Sequence, residues 1–464
     1  MASAKEGSCK IFGGKRMNKV LKLLRYNTGN DKKAFVEFKN DFDAVIFNAS
    51  IVAYSGASIS DIISIHMNKY IIDPQTYILQ HDTSAFLSNK GDIKASILKY
   101  LAELPAQIKH VIAEEQRALT LFDINNVLDA LVEAVYEFQV NFITKFLDKK
   151  DYSKYLDFAL EEEQSRDKYA PRVIIPPYFR LKKEYGSAEV SQWLNLNKLA
   201  LSKFVNKYAS CGFPIAAELL LDKQILCTLD MATIEENYNI PGYEYIFIWI
   251  DDFSPMNAKQ EEQIRFKNLL DTLNKIGKRP VMAYGGYDSI LLCHGELHSR
   301  LYGVAQSVGY GEARNITPVG GGLPVNKYYF YPMHRRMTVG DSSSILSREG
   351  YFTGDKSEAA ERFYGEICDC QQCREIIGKD INKFHLYNDS VPYSWKGNIK
   401  RNRPTAEASF FATRHFMCCK QKEWGNVTNK SLSECIQELL VSVKKYGSPQ
   451  DYVKVERFVK IYVQ

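Results

Sequence analysis

Three cysteines within six residues, Cys368-Asp369-Cys370-Gln371-Gln372-Cys373, constrain this chain more than any other feature of its sequence. Thiolates so close converge on one ion in a tight turn, and Zn²⁺ favours such a set with one more ligand to complete a tetrahedron. His415 follows after 41 intervening residues, in Phe410-Phe411-Ala412-Thr413-Arg414-His415-Phe416, which reads as the first turns of an amphipathic helix. His385 is nearer in sequence, and Cys418 and Cys419 are rival donors, of which a helix can aim at most one at the ion. We take Cys368, Cys370, Cys373 and His415 as the ligands. Four protein ligands leave no open position, so the expected Zn²⁺ is structural.

The remaining cysteines do not suggest a disulfide framework. Ten in 464 residues are too sparse, and Cys9, Cys211, Cys227, Cys293 and Cys435 read as small buried hydrophobes. The sequence shows no run of 18 apolar residues and no secretory leader, so we expect a cytoplasmic protein without a membrane partner. A formal charge of +5 permits a nucleic-acid substrate without requiring one. Lys15, Arg16, Lys19, Lys22 and Arg25 in the segment 10–25 could touch phosphates, or form the positive side of a solvated helix.

Short apolar, β-branched and aromatic runs recur at 43–53, 69–77, 171–178, 243–250, 279–284, 302–308 and 327–331. They lack polar alternation, as strands of a parallel sheet covered on both faces do. Helical patterns separate several of them; in 259–276, Ile264, Leu269, Leu273 and Ile276 form one apolar face. Strands alternating with helices predict an α/β fold, with a (β/α)₈ TIM barrel ahead of a doubly wound sheet, because no glycine-rich nucleotide turn follows the first strand. The barrel is expected over 40–360, with a helical insertion at about 90–168 that reads equally as a docking or lid element and as a dimerisation appendage. A zinc-binding subdomain is expected over 361–430 and a helical or strand extension over 431–464.

The Cys-x-Cys-x-x-Cys motif with a distant helical histidine resembles the zinc subdomain of the tRNA-guanine transglycosylase family. Further echoes stand in the family's order: Ile72-Asp73-Pro74, Ile250-Asp251-Asp252, Ala283-Tyr284-Gly285-Gly286, and Val308-Gly309-Tyr310-Gly311-Glu312. Together they span roughly 44–424. Where the family carries its nucleophilic aspartate, this chain reads Tyr328-Tyr329-Phe330-Tyr331-Pro332-Met333-His334-Arg335. The resemblance is therefore to a divergent branch, similar to bacterial and phage paralogues that insert 7-cyano-7-deazaguanine (preQ0) into DNA in modification clusters.

That resemblance implies a pentosyltransferase exchanging guanine in double-stranded or locally opened DNA for a 7-deazaguanine base by double displacement at C1′. It also implies partner proteins of a modification cluster. Exchange on tRNA, or a non-catalytic zinc-stabilised nucleic-acid-binding protein, are the alternatives. Asp73 and Asp251, at predicted strand ends, are the expected catalytic carboxylates, each otherwise a helix cap. Asp252, Tyr284, Gly285, Gly286, Gly309, Tyr310, Gly311, His334, Arg335 and Arg336 are the expected substrate-binding residues.

Overall fold

The computed structural model describes residues 20–26, 32–66, 69–88, 90–147, 171–308, 311–317, 325–395 and 399–463. Its main sheet has seven parallel strands: β1 (Leu21–Tyr26), β2 (Ala44–Asn48), β3 (Tyr70–Asp73), β4 (Ala216–Leu221), β5 (Tyr245–Ile250), β6 (Arg279–Met282) and β7 (Gly303–Ser307). They lie in the order β3-β2-β1-β7-β6-β5-β4. Continuous apolar runs fill them because both faces are covered; β2 and β4 are buried at every position. Helices close the outside. Gln260–Lys275 buries Phe266, Leu269, Leu270 and Leu273, while Ile264, expected on the same face, is exposed.

The expected closed (β/α)₈ barrel does not form. The sheet is a curled half-barrel whose edge strands, β3 and β4, stand 9 Å apart. The run at 171–178, expected as a strand, spans this gap only by isolated bridges, from Val173 to Ile71 and from Ile174 to Ile215. Pro176 and Pro177 follow at once, and without N–H groups they cannot extend a ladder. The run at 327–331 also leaves the main sheet. It supplies β8 (Lys327–Phe330), which pairs antiparallel with β9 (Arg335–Thr338) as a separate hairpin. Conversely, β1 occupies a central position, although charge alone assigns its residues to a basic surface segment; Arg25 is only 1% exposed.

The insertion is helical where it is described, with helices Ala95–Leu101, Ala106–Ala113, Leu121–Asn141 and Thr144–Leu147; residues 148–170 of that expectation lie outside the described residues. Beyond β9 come helices Val339–Arg348, Lys356–Glu366 and Gln371–Ile377, then an antiparallel ribbon, β10 (Ser390–Trp395) and β11 (Ile399–Pro404), and then the helices Ala406–Asn429, Leu432–Tyr446 and Pro449–Tyr462. The last helix is fastened to the outside of the sheet layer. Arg457 donates to the Ala258 carbonyl at 2.6 Å and Tyr462 to that of Gln263 at 3.0 Å. Among the described residues, no helix is long and apolar enough to cross a membrane.

Candidate metal centre and the polar groups around it

Cys370 is the N-cap of the helix Gln371–Ile377, its sulfur accepting from the Cys373 N–H at 3.4 Å. The same turn sets Cys368 and Cys373 beside it. The fourth group arrives on the long helix Ala406–Asn429, which starts cleanly because Thr405 Oγ1 accepts from the Ala408 N–H at 3.0 Å. His415 Nδ1 lies 3.3 Å from the sulfurs of both Cys370 and Cys373 and 4.0 Å from that of Cys368. The four donor atoms all fall within 4.8 Å of one another, and each residue is at most 3% exposed.

These spacings fit a metal ion. A nitrogen at about 2.1 Å and a sulfur at about 2.3 Å from a tetrahedral Zn²⁺ are about 3.6 Å apart. The surroundings fix the imidazole for that role. Its Nε2 lies 2.8 Å from the Tyr329 carbonyl and donates to it, which leaves the Nδ1 lone pair facing the thiols. Its ring stacks on Tyr328 at 4.2 Å between centroids. Burial, and then the neighbouring sulfurs, push the Tyr328 phenol well above its ordinary range, so it keeps its proton; its hydroxyl lies 3.4 Å from the Cys373 sulfur. Tyr387 makes a second contact to that sulfur, also at 3.4 Å. The donor set is thus a structural metal site of the kind Zn²⁺ fills, held by Cys368, Cys370, Cys373 and His415. His385 is exposed and bonded to the Asn382 carbonyl, away from the cluster.

The predicted catalytic carboxylates hold different arginines. Asp73 ends β3 almost fully buried; Oδ2 lies 2.8 Å from Arg25, and Oδ1 accepts from Tyr178 at 2.6 Å and from the Gln75 N–H at 3.0 Å. Asp251 follows β5, accepts from the Ile316 N–H at 2.7 Å and stands 3.9 Å from Arg180, whose closer partner is Asp222 at 2.6 Å. Asp252 turns the other way, with φ +46°, to pair with Lys223 at 3.4 Å.

The expected substrate-binding residues divide. Tyr284 is buried against Trp249 and accepts from Arg314 at 2.8 Å. Gly285 is a packing glycine, since a Cβ there would meet Ser289 and Val304 at 2.7 Å. Gly286, His334, Arg335 and Arg336 gather around one cavity of about 350 Å³, between the loops after β5 to β7 and the last two helices. Each of the three charged or ring side chains has a partner within the protein, although Arg336 Nε, 3.4 Å from Glu312, makes no hydrogen bond. His334, at φ +48°, contacts Glu423 at 2.7 Å and stacks on Tyr287; Arg335 pairs with Asp451; Arg336 donates to the Ser307 and Val308 carbonyls. Gly311 is half-buried, and Gly309 and Tyr310 lie outside the described residues.

Sequence reading missed Glu218, which sits inside the curl on β4 at 3% exposure. Burial, and then the Asp73 charge, push its carboxyl well above the usual range, so it holds its proton. A lone glutamate within the run Ala216-Ala217-Glu218-Leu219-Leu220-Leu221 was the available signal.

Compared with known proteins, the sequence matches no family model and no curated protein. The resemblance drawn from short motifs is not upheld, because the closed eight-stranded barrel diagnostic of that family is replaced by an open half-barrel. With it fall the base-exchange reaction on DNA or tRNA, the pentosyltransferase activity and the 7-deazaguanine modification role: among the described residues, no closed-barrel catalytic scaffold of that architecture is formed. The metal centre stands independently of the resemblance.

Proposed function

We propose that this chain is a zinc-organised binding protein, in which a structural Zn²⁺ fixes the root of the β10–β11 ribbon and the ribbon engages the phosphates of a nucleic acid. The observation that carries this reading is the position of the closed donor set at that root. Tyr387, in contact with Cys373, lies three residues before β10. Thr405, which caps the helix bearing His415, directly follows β11, and its N–H is bonded to the Asp389 carbonyl at 2.9 Å. A two-stranded hairpin is marginal by itself in water, so it needs such an anchor.

Charge supports the choice of partner. The stretch 390–404 contains Lys396, Lys400, Arg401 and Arg403 and no acidic residue. In register, Tyr393 opposes Arg401 and Val391 opposes Arg403, which puts both arginines on one face with an aromatic ring between them. Val391, Arg401 and Arg403 are exposed. A two-stranded ribbon fits a major groove, and a basic aromatic surface can equally follow a single strand. The same cations, with Pro392 and Pro404, also discourage edge-to-edge pairing, a role that requires no ligand.

Fluorescence anisotropy with labelled duplex DNA, single-stranded DNA and RNA, titrated over a range of salt, separates the two. Binding is expected to weaken steeply with salt. The variant Arg401→Glu/Arg403→Glu is expected to lower the salt slope by about one for each phosphate it no longer neutralises. Failure to bind any of the three, or equal binding by the double variant, overturns the proposal.

A further inference from the structure

A further donor stands beside the four of the centre. Cys419 follows His415 by four residues on the same helix, so both project from one face. Its sulfur lies 3.9 Å from that of Cys368, and 3.7 and 3.6 Å from the two ring nitrogens of His415. Two sulfurs bound at about 2.3 Å to one tetrahedral ion are about 3.8 Å apart. Cys419 therefore already stands at ligand spacing from Cys368, alongside the edge that Cys368 shares with His415. It is fully buried, as are His415 and Cys368 beside it, so water does not compete for the position.

We propose that Cys419 is an alternative fourth ligand, able to replace His415 and convert the centre from three sulfurs and one nitrogen to four sulfurs when the ion is soft. Borderline Zn²⁺ accepts either set, and the hydrogen bond from His415 to the Tyr329 carbonyl favours the imidazole for it. A thiophilic ion such as Cd²⁺ gains more from a fourth thiolate than from a nitrogen. The exchange adds one negative charge, and the helix places cationic Lys422 within electrostatic reach of both Cys368 and Cys419. Cys418, the adjacent thiol, is partly exposed and lies against the sulfur of Cys370, whereas Cys419 lies against that of Cys368, so the Cys419→Ser variant below is what assigns the fourth sulfur to Cys419.

The inference rests on the metal reading, and one experiment keeps the two apart. Full-length wild type and Cys419→Ser are loaded with Zn²⁺ or Cd²⁺, metal content is measured, and X-ray absorption counts the sulfur ligands. One equivalent of Zn²⁺ in both proteins is expected, with three sulfurs and one nitrogen. With Cd²⁺, the wild type is expected to show four sulfurs and Cys419→Ser three. As a second readout, His415→Ala is expected to keep one equivalent of Cd²⁺, and His415→Ala/Cys419→Ser to lose it. Identical Cd²⁺ coordination in wild type and Cys419→Ser overturns the inference while leaving the metal centre intact; wild type that binds no Zn²⁺ overturns both.

Discussion

Asp73 accepts hydrogen bonds from Arg25, Tyr178 and the Gln75 backbone, and through Arg25 it ties β3 to the central strand β1. Asp73→Ala leaves the Arg25 guanidinium buried without its counter-charge, and breaking a buried pair in this way costs about 3–5 kcal/mol. Urea unfolding followed by circular dichroism should show a loss of that size. Glu218 behaves oppositely. Its folded pKa is raised above the ordinary 4.5, so between those two values the folded state binds more protons than the unfolded one, and stability falls as pH rises. Glu218→Gln, neutral at every pH, should match the wild type near pH 4 and become progressively more stable than it above about pH 4.5. Melting temperatures across a pH series check the sign; parallel curves for the two proteins would refute it. The zinc ligands were legible because three of them are near neighbours in sequence. The partners of Asp73 were not, since Arg25 and Tyr178 lie far from it along the chain and only the curl of the sheet brings them together.

Among the elements, apolar runs were readable as strands, but their membership of a sheet was not. β8 and β5 are both rich in aromatic residues, yet β5 lies within the sheet while β8 pairs only with β9. What separates them is non-local: Tyr328 and Tyr329 pack on the helix that carries His415. The run at 171–178 fails as a strand for a local reason, its consecutive prolines, which sequence reading passed over. The helix bearing His415 offers a test at this scale. Thr405→Ala removes its cap and should cost about 1 kcal/mol. Because that cap lies between the ribbon and the metal ligands, the variant should also release metal faster to a chelator, measurable with a zinc-sensitive dye. An unchanged release rate would show that the cap is not coupled to the centre.

Across the whole molecule, the C-terminal helices reach back to the start of the chain: Arg414 pairs with Glu37 at 2.6 Å and Gln421 donates to Asp41 at 3.0 Å. The metal centre lies between these contacts and the β8–β9 hairpin. Removing the ion should therefore raise hydrogen exchange in β8, in Gln371–Ile377 and in the middle of Ala406–Asn429, while β2, β4 and β5 stay protected. Uniform deprotection of the sheet would mean that the ion supports the entire fold. The central position of β1 has a further consequence, for synthesis on the ribosome. Leu21 pairs with Gly303, so one edge of β1 has no partner until β7 has been made. At about 5–20 residues per second, that interval is roughly 15–60 s. During it a nascent Leu21-Lys22-Leu23-Leu24-Arg25-Tyr26 presents an open strand edge, guarded chiefly by the charges of Lys22 and Arg25. Replacing Lys22 with an apolar residue is thus expected to reduce soluble yield during translation far more than it alters the melting temperature of the finished protein.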